Sequence, residues 1–128
     1  MAVEARHKSA LGEKLHMARD ACGLSQRKAA KAVEITNASL SDIENGHNFP
    51  SEAVLLKLVG CYAPPEHLCS EIYALYSEAK NVPPPDISAF IKDNPCLYEL
   101  LRDMQQKEIT MEAVASIRSD VQKWRNKK

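Results

Sequence analysis

The sequence predicts an all-α protein, and three observations carry that expectation. Between its glycine and proline breaks, apolar residues recur every three or four positions, the period of one helix face. No stretch alternates apolar and polar residues as a half-buried strand would. The periodic stretches are bounded by helix punctuation: Ser25, Thr36 and Thr110 stand where N-caps are wanted, and Gly23 and Gly46 where helices stop.

Taken in order, the first helix carries Leu11, Leu15, Ala18 and Cys22 on one stripe and stops at Gly23. Ser25 caps a second, with Ala29, Ala30 and Val33 facing inward. Thr36 caps a third, with Leu40 and Ile43 inward and Gly46 at its end. Pro50-Ser51 opens a fourth, with Val54, Leu55, Leu58 and Val59. Pro65 opens a fifth, with Leu68, Ile72, Leu75, Tyr76 and Ala79. These five helices make up a first domain over residues 1–80.

Pro83-Pro84-Pro85 follows. Proline lacks the amide hydrogen and clashes with the preceding turn, so the triple cannot lie inside a helix. Residues 81–86 therefore read as a stiff, Pro-rich linker to a small helical segment, 87–128. Ile87, Phe90 and Ile91 predict a short helical turn. Asn94-Pro95 reads as a cap with proline at the first helical position, and Leu97, Leu100, Leu101 and Met104 form the stripe behind it. Thr110 caps a last helix, where Val114, Ile117, Val121 and Trp124 fall at 3-4-3 spacing, a coiled-coil-like seam. The tail from Arg125 is polar and expected to fray.

Composition removes several classes of function. No apolar run approaches the roughly 18 residues of a membrane span. The stretch from Met1 to Ser9 lacks the apolar core of a signal peptide. A cytoplasmic location with no membrane partner is the expectation. Cys22, Cys61, Cys69 and Cys96 form no C-x-x-C pair and have no histidine at zinc-finger spacing, so neither metal, disulfide nor cofactor is expected. They read as small apolar residues inside helices. There is no glycine-rich phosphate loop, metal-spaced His/Glu set or nucleophile motif, which argues against an enzyme.

One stretch is informative: Gly23-Leu-Ser-Gln-Arg-Lys-Ala-Ala-Lys-Ala-Val-Glu-Ile-Thr-Asn-Ala-Ser-Leu-Ser-Asp-Ile-Glu-Asn-Gly46. Two short helices meet at a tight turn around Glu34-Ile35. Ala29 and Ala30 let them approach closely, and Ile35 fills the space under the turn. The second helix is short and polar on one face, as entry into a major groove roughly 12 Å wide requires. Gly-Leu-Ser-Gln opens the first helix of the pair, Ile-Glu-Asn-Gly closes the second, and Pro-Ser opens the helix after it.

With all three motifs in register, the stretch from about Leu11 to Ala63 resembles the helix-turn-helix family of phage Cro and cI repressors and related XRE-type bacterial regulators. The resemblance implies a five-helix, lambda-repressor-like domain. It implies that Asn37, Ala38, Ser41 and Asp42 face bases, and that Gln26 and Asn45 bond phosphates. It further implies a buried ion pair between Arg19 and Glu44. Arg27 and Lys28, beside Gln26, are candidates for phosphate contact, as is His47 just past the third helix; a merely solvated face, including Lys31, is the alternative.

The charge pattern departs from that of a strongly electrostatic DNA binder. The chain carries 17 basic and 17 acidic residues, and residues 1–80 carry 9 and 10. From Asn37 to Glu44 there is no lysine or arginine. Because phosphate contacts supply much of the affinity for DNA, a single copy should bind weakly. The expectation is therefore a transcriptional regulator, a repressor, acting as a homodimer on palindromic double-stranded DNA. Its dimer interface would be Leu97, Leu101, Met104, Val114, Ile117, Val121 and Trp124. The alternative is a protein-interaction module or antitoxin-like partner that grips another protein with 86–128.

Overall fold

The described residues, 2–125, form eight helices and no strand in the computed structural model. They are α1 (Ala2–Ala21), α2 (Gln26–Ala32), α3 (Asn37–Glu44), α4 (Glu52–Tyr62), α5 (Glu66–Lys80), α6 (Pro85–Asp93), α7 (Leu97–Gln106) and α8 (Met111–Arg125). The starts of α2, α3 and α4 are fixed by side chains. Ser25, Thr36 and Ser51 accept from the amides of Lys28, Ser39 and Val54 at 3.0–3.2 Å. Each thus satisfies one of the amides a helix start leaves unpaired. Thr110 does the same for Ala113 at 3.1 Å.

Four helices stop by one device. After α1, Leu24 donates to the Arg19 carbonyl and Gly23 to that of Asp20, with Gly23 left-handed. α3 ends identically at Gly46, α2 at Glu34 and α7 at Glu108. This is the Schellman pattern, which satisfies carbonyls the last turn would otherwise leave open. Two of the four left-handed positions are glutamates, with φ of 61° at Glu34 and 50° at Glu108, and carry no sequence signal.

Contacts divide the chain into two compact units, Met1–Phe90 and Ile91–Lys128. In the first, α1 lies against α3, α4 and α5, and α2 against α3 and α4. Leu11, Leu15, Leu40, Leu55, Leu58 and Ile72 are fully buried at their junction. Each such side chain contributes about 1.5–3 kcal/mol relative to exposure. Side-chain bonds stitch the α1–α5 seam: His7 Nε2 to Glu78 Oε2 at 3.1 Å, and a salt bridge from Lys14 Nζ to Glu71 Oε2 at 2.9 Å. The Lys14 bond holds the Glu71 carboxyl below its ordinary pKa.

Several sequence expectations change here. Cys22 lies past the last turn of α1 and is exposed, as is Cys96; Cys61 and Cys69 are half-buried. Ile35, Leu75 and Val54 are half-buried at the core's margin. The triple proline does not stand apart from the first unit. Val82 packs against the core and bonds Ser77 through both its amide and its carbonyl, and Pro85 is fully buried. Proline is tolerated at a first helical position, where its missing N–H has no partner anyway, so Pro85 opens α6. The short turn expected around Ile87–Ile91 is thus a nine-residue helix. Asn94-Pro95 forms a turn whose carbonyls accept from Leu97 and Tyr98, and the N-cap of α7 is Cys96.

The second unit is α7, the turn at 107–110, and α8. None of its described residues is buried. Leu100, Leu101, Val114, Ile117, Val121 and Trp124 are all exposed.

Candidate nucleic-acid interface

α2 and α3 form the helix pair whose second member the sequence suits to a major groove. Fully buried Ala29 and Ala30 bring them together. Leu40, Ile43 and Glu44 turn α3's other face inward. What remains outward is Asn37, Ala38 and Asp42, with the C-cap Asn45, all exposed, and Ser41, half-buried beside them. Their spacing, one and four residues apart, is that of one helix face. Asn45 Nδ2 donates to Ser41 Oγ at 3.3 Å, joining a residue read as phosphate-binding to one read as base-facing. Arg27 and Lys28 are exposed at the start of α2, and His47 is exposed two residues past Asn45.

Behind this surface is a buried polar framework. Arg19 Nε donates to Glu44 Oε2 at 2.7 Å and Arg19 Nη2 to Glu44 Oε1 at 2.9 Å. Arg19 Nη1 donates to the Leu24 carbonyl at 2.9 Å. A planar guanidinium fork suits such a bidentate arrangement. It ties α1, the turn before α2, and the end of α3 together. The hydrogen bonds to Glu44 hold the Arg19 pKa above its ordinary value, outweighing burial. Next to this pair the Tyr62 hydroxyl is buried, with no hydrogen-bond partner among the described residues. Burial first and the Glu44 charge second push its pKa up.

Gln26 belongs to the framework as well. Its Nε2 donates to Glu44 Oε1 at 3.1 Å, and the residue is half-buried. An amide nitrogen has two hydrogens. Glu44 takes one, which orients the group and leaves the second for an acceptor in front of α2. The sequence singled out Gln26 but not its attachment to Glu44.

Gly12 was missed altogether. A Cβ there would come 2.5 Å from the carbonyl oxygens of both Ile43 and Glu44. α1 therefore touches the backbone at the end of α3, and only glycine allows it. A glycine inside a helix costs about 1 kcal/mol relative to alanine, and that cost was the available signal for a packing reason.

Among the described residues, no three His, Cys, Asp or Glu side chains are placed to hold a metal ion. No helix there is long and apolar enough to cross a membrane. The residues expected at a dimer interface lie in the second unit. Leu97 and Met104 are half-buried, while Leu101, Val114, Ile117, Val121 and Trp124 are exposed.

Comparison with curated proteins and with solved structures finds no match. A family model described as a helix-turn-helix domain matches residues 10–69, from α1 into the first turn of α5. The buried pair at Arg19–Glu44 and the exposed face of α3 both fall inside that span. Residues 10–69 of this chain are a helix-turn-helix domain, of the kind found in XRE-like regulators.

Proposed function

We propose that the protein is a sequence-specific transcriptional regulator, a repressor, that binds a palindromic operator as a homodimer in the cytoplasm. The observation that carries this reading is the construction of α3. One face is fixed from behind by Arg19, Glu44 and Gln26, while the opposite face, Asn37, Ala38, Ser41 and Asp42, points outward and is mostly polar. Rigid backing with a polar front is what base readout in the major groove requires. On this reading Gln26, Arg27, Lys28, Asn45 and His47 contact phosphates and set register. Asp42 accepts from an exocyclic base amine, since a carboxylate elsewhere in the groove would be repelled.

Dimerisation is supported by the second unit. A helix of 10 residues and one of 15, with no fully buried residue among those described, are marginal in water. A second copy of 87–128 would cover the Leu97–Met104 and Val114–Trp124 stripes in a two-fold, self-complementary interface. It would set two copies of α3 about one DNA turn apart, roughly 34 Å. Two half-sites bound together would offset the weak electrostatics of each.

Selection of bound sites from a random duplex pool tests the reading, and a two-fold symmetric consensus is expected. Asn37→Ala should then weaken binding to that site by about 1–3 kcal/mol and leave random DNA nearly unchanged. Equal losses on both would remove Asn37 from base readout. Enrichment of no site, with a full-length chain monomeric at micromolar concentration, would favour a protein-interaction module. The same exposed stripes of 87–128 would then meet a different protein.

A further inference from the structure

The cations that α3 lacks are gathered elsewhere on the first unit. Phe49, in the loop after α3, packs against the core and meets Tyr76 edge-on, with centroids 6.2 Å apart and planes at 85°. Two ammonium groups sit over its ring. Lys80 Nζ, from the last turn of α5, is 4.9 Å from the centroid, and Lys8 Nζ, from α1, is 5.7 Å away. Both distances are within cation–π reach. Among the described residues, neither lysine forms an ion pair with a carboxylate. Glu78, near the end of α5, is engaged by His7. Glu52, whose charge is felt at the Tyr76 hydroxyl, pairs with neither. One ring thus holds two like charges that no carboxylate among the described residues pairs with.

The place of this cluster gives it meaning. The loop that carries Phe49 leaves the end of α3 directly, with the amides of His47 and Asn48 both directed to the Asp42 carbonyl. α1 runs against that point, since a Cβ on Gly46 would lie 2.9 Å from Ser9 Oγ. Lys8 is the neighbour of Ser9. An eight-residue helix is roughly 12 Å long, close to the roughly 12 Å width of the major groove. Each end of α3 would then stand near a wall of phosphates. Gln26, bonded to Glu44, serves the wall at the C-terminal end of α3 from the start of α2, and the Phe49 cluster lies beyond that same end.

We propose that Lys8 and Lys80, held over Phe49 beside His47, form a second phosphate-binding patch for duplex DNA. The inference rests on the DNA-binding reading above. It assigns the cationic role missing from α3 to residues of α1 and α5, outside the helix pair. Each ammonium that meets a phosphate releases condensed counterions, so each adds about 0.9 to the slope of log affinity against log salt.

The test measures fluorescence anisotropy of a random-sequence duplex with the full-length protein, from low to moderate salt. Lys8→Gln with Lys80→Gln should lower the magnitude of the slope by about two relative to the parent, and each single change by about one. The double change to arginine, which keeps both charges, should retain the parent slope. Melting by circular dichroism accompanies each variant, and if the double glutamine variant is unfolded the two single variants decide. A folded glutamine variant with the parent slope would overturn this patch alone and leave DNA binding standing. An arginine variant that loses the slope would overturn it too, because charge would not be the cause. A parent protein with no salt-dependent binding would overturn both the patch and the reading it rests on.

Discussion

In the first unit Leu11, Leu15, Leu40, Leu55 and Leu58 are each at most 1% exposed, whereas in the second Leu100 is 54% and Trp124 68% exposed. The two regions nonetheless use one pattern. Both space their apolar residues at three and four, both cap helices with Ser or Thr, and both stop a helix at a left-handed residue. They differ in what the stripes have to pack against. The first unit holds α1–α5 and most of α6, so the stripes of α1–α5 find one another within the chain. The second has two short helices, and none of its described residues is buried. An apolar stripe states which face requires cover. It does not state whether the cover comes from the same chain, and two helices are too few to supply it.

Changes in the two regions should therefore fail differently. The largest effect is expected at Arg19→Met, which leaves the Glu44 carboxylate buried without its partner and should cost about 3–5 kcal/mol. Thermal unfolding would show this as a fall of more than about 10 °C in Tm; an unchanged Tm would mean the pair is not a fixed part of the first unit. Gly12→Ala should cost about 1–3 kcal/mol, because the new methyl meets backbone carbonyls rather than a yielding side chain. An alanine variant as stable as the parent would show that α1 and α3 can separate freely.

A change in the second unit should act on association and spare the fold. Ile117→Asp is expected to weaken self-association at least tenfold, about 1.4 kcal/mol, while the melting of residues 1–90 stays as in the parent. Light scattering reads the first outcome and a melt of the 1–90 fragment, monomeric on this account, gives the reference for the second. A dimer undisturbed by Ile117→Asp would move the interface off α8. The smallest effect compares the two left-handed glutamates. Glu34→Gly and Glu108→Gly each relieve a Cβ clash, and each should stabilise by about 0.5–1 kcal/mol. Calorimetry should register Glu34→Gly in the melting of residues 1–90. Glu108→Gly should register only where the second unit is assembled, in a dimer dilution series.

The sequence by itself determined the helical class, the order of the first five helices and the exposed face of α3. Those features follow from local rules: periodicity, caps, and glycine at two of the stops. Ser25, Thr36, Gly23 and Gly46 act through bonds to residues within five positions, so a linear reading reaches them. It could not reach what depends on distant backbone. The proximity of Gly12 to Ile43 and Glu44, the attachment of Gln26 to Glu44, and the two lysines over Phe49 join residues 18 to 41 positions apart. The stops at Glu34 and Glu108 escaped because glutamate in a left-handed conformation has no sequence signature. The prolines at 83–85 were read for what they forbid inside a helix. Whether they would then extend as a linker or pack on α5 and open α6 was decided by the core, which had an apolar place for Pro85.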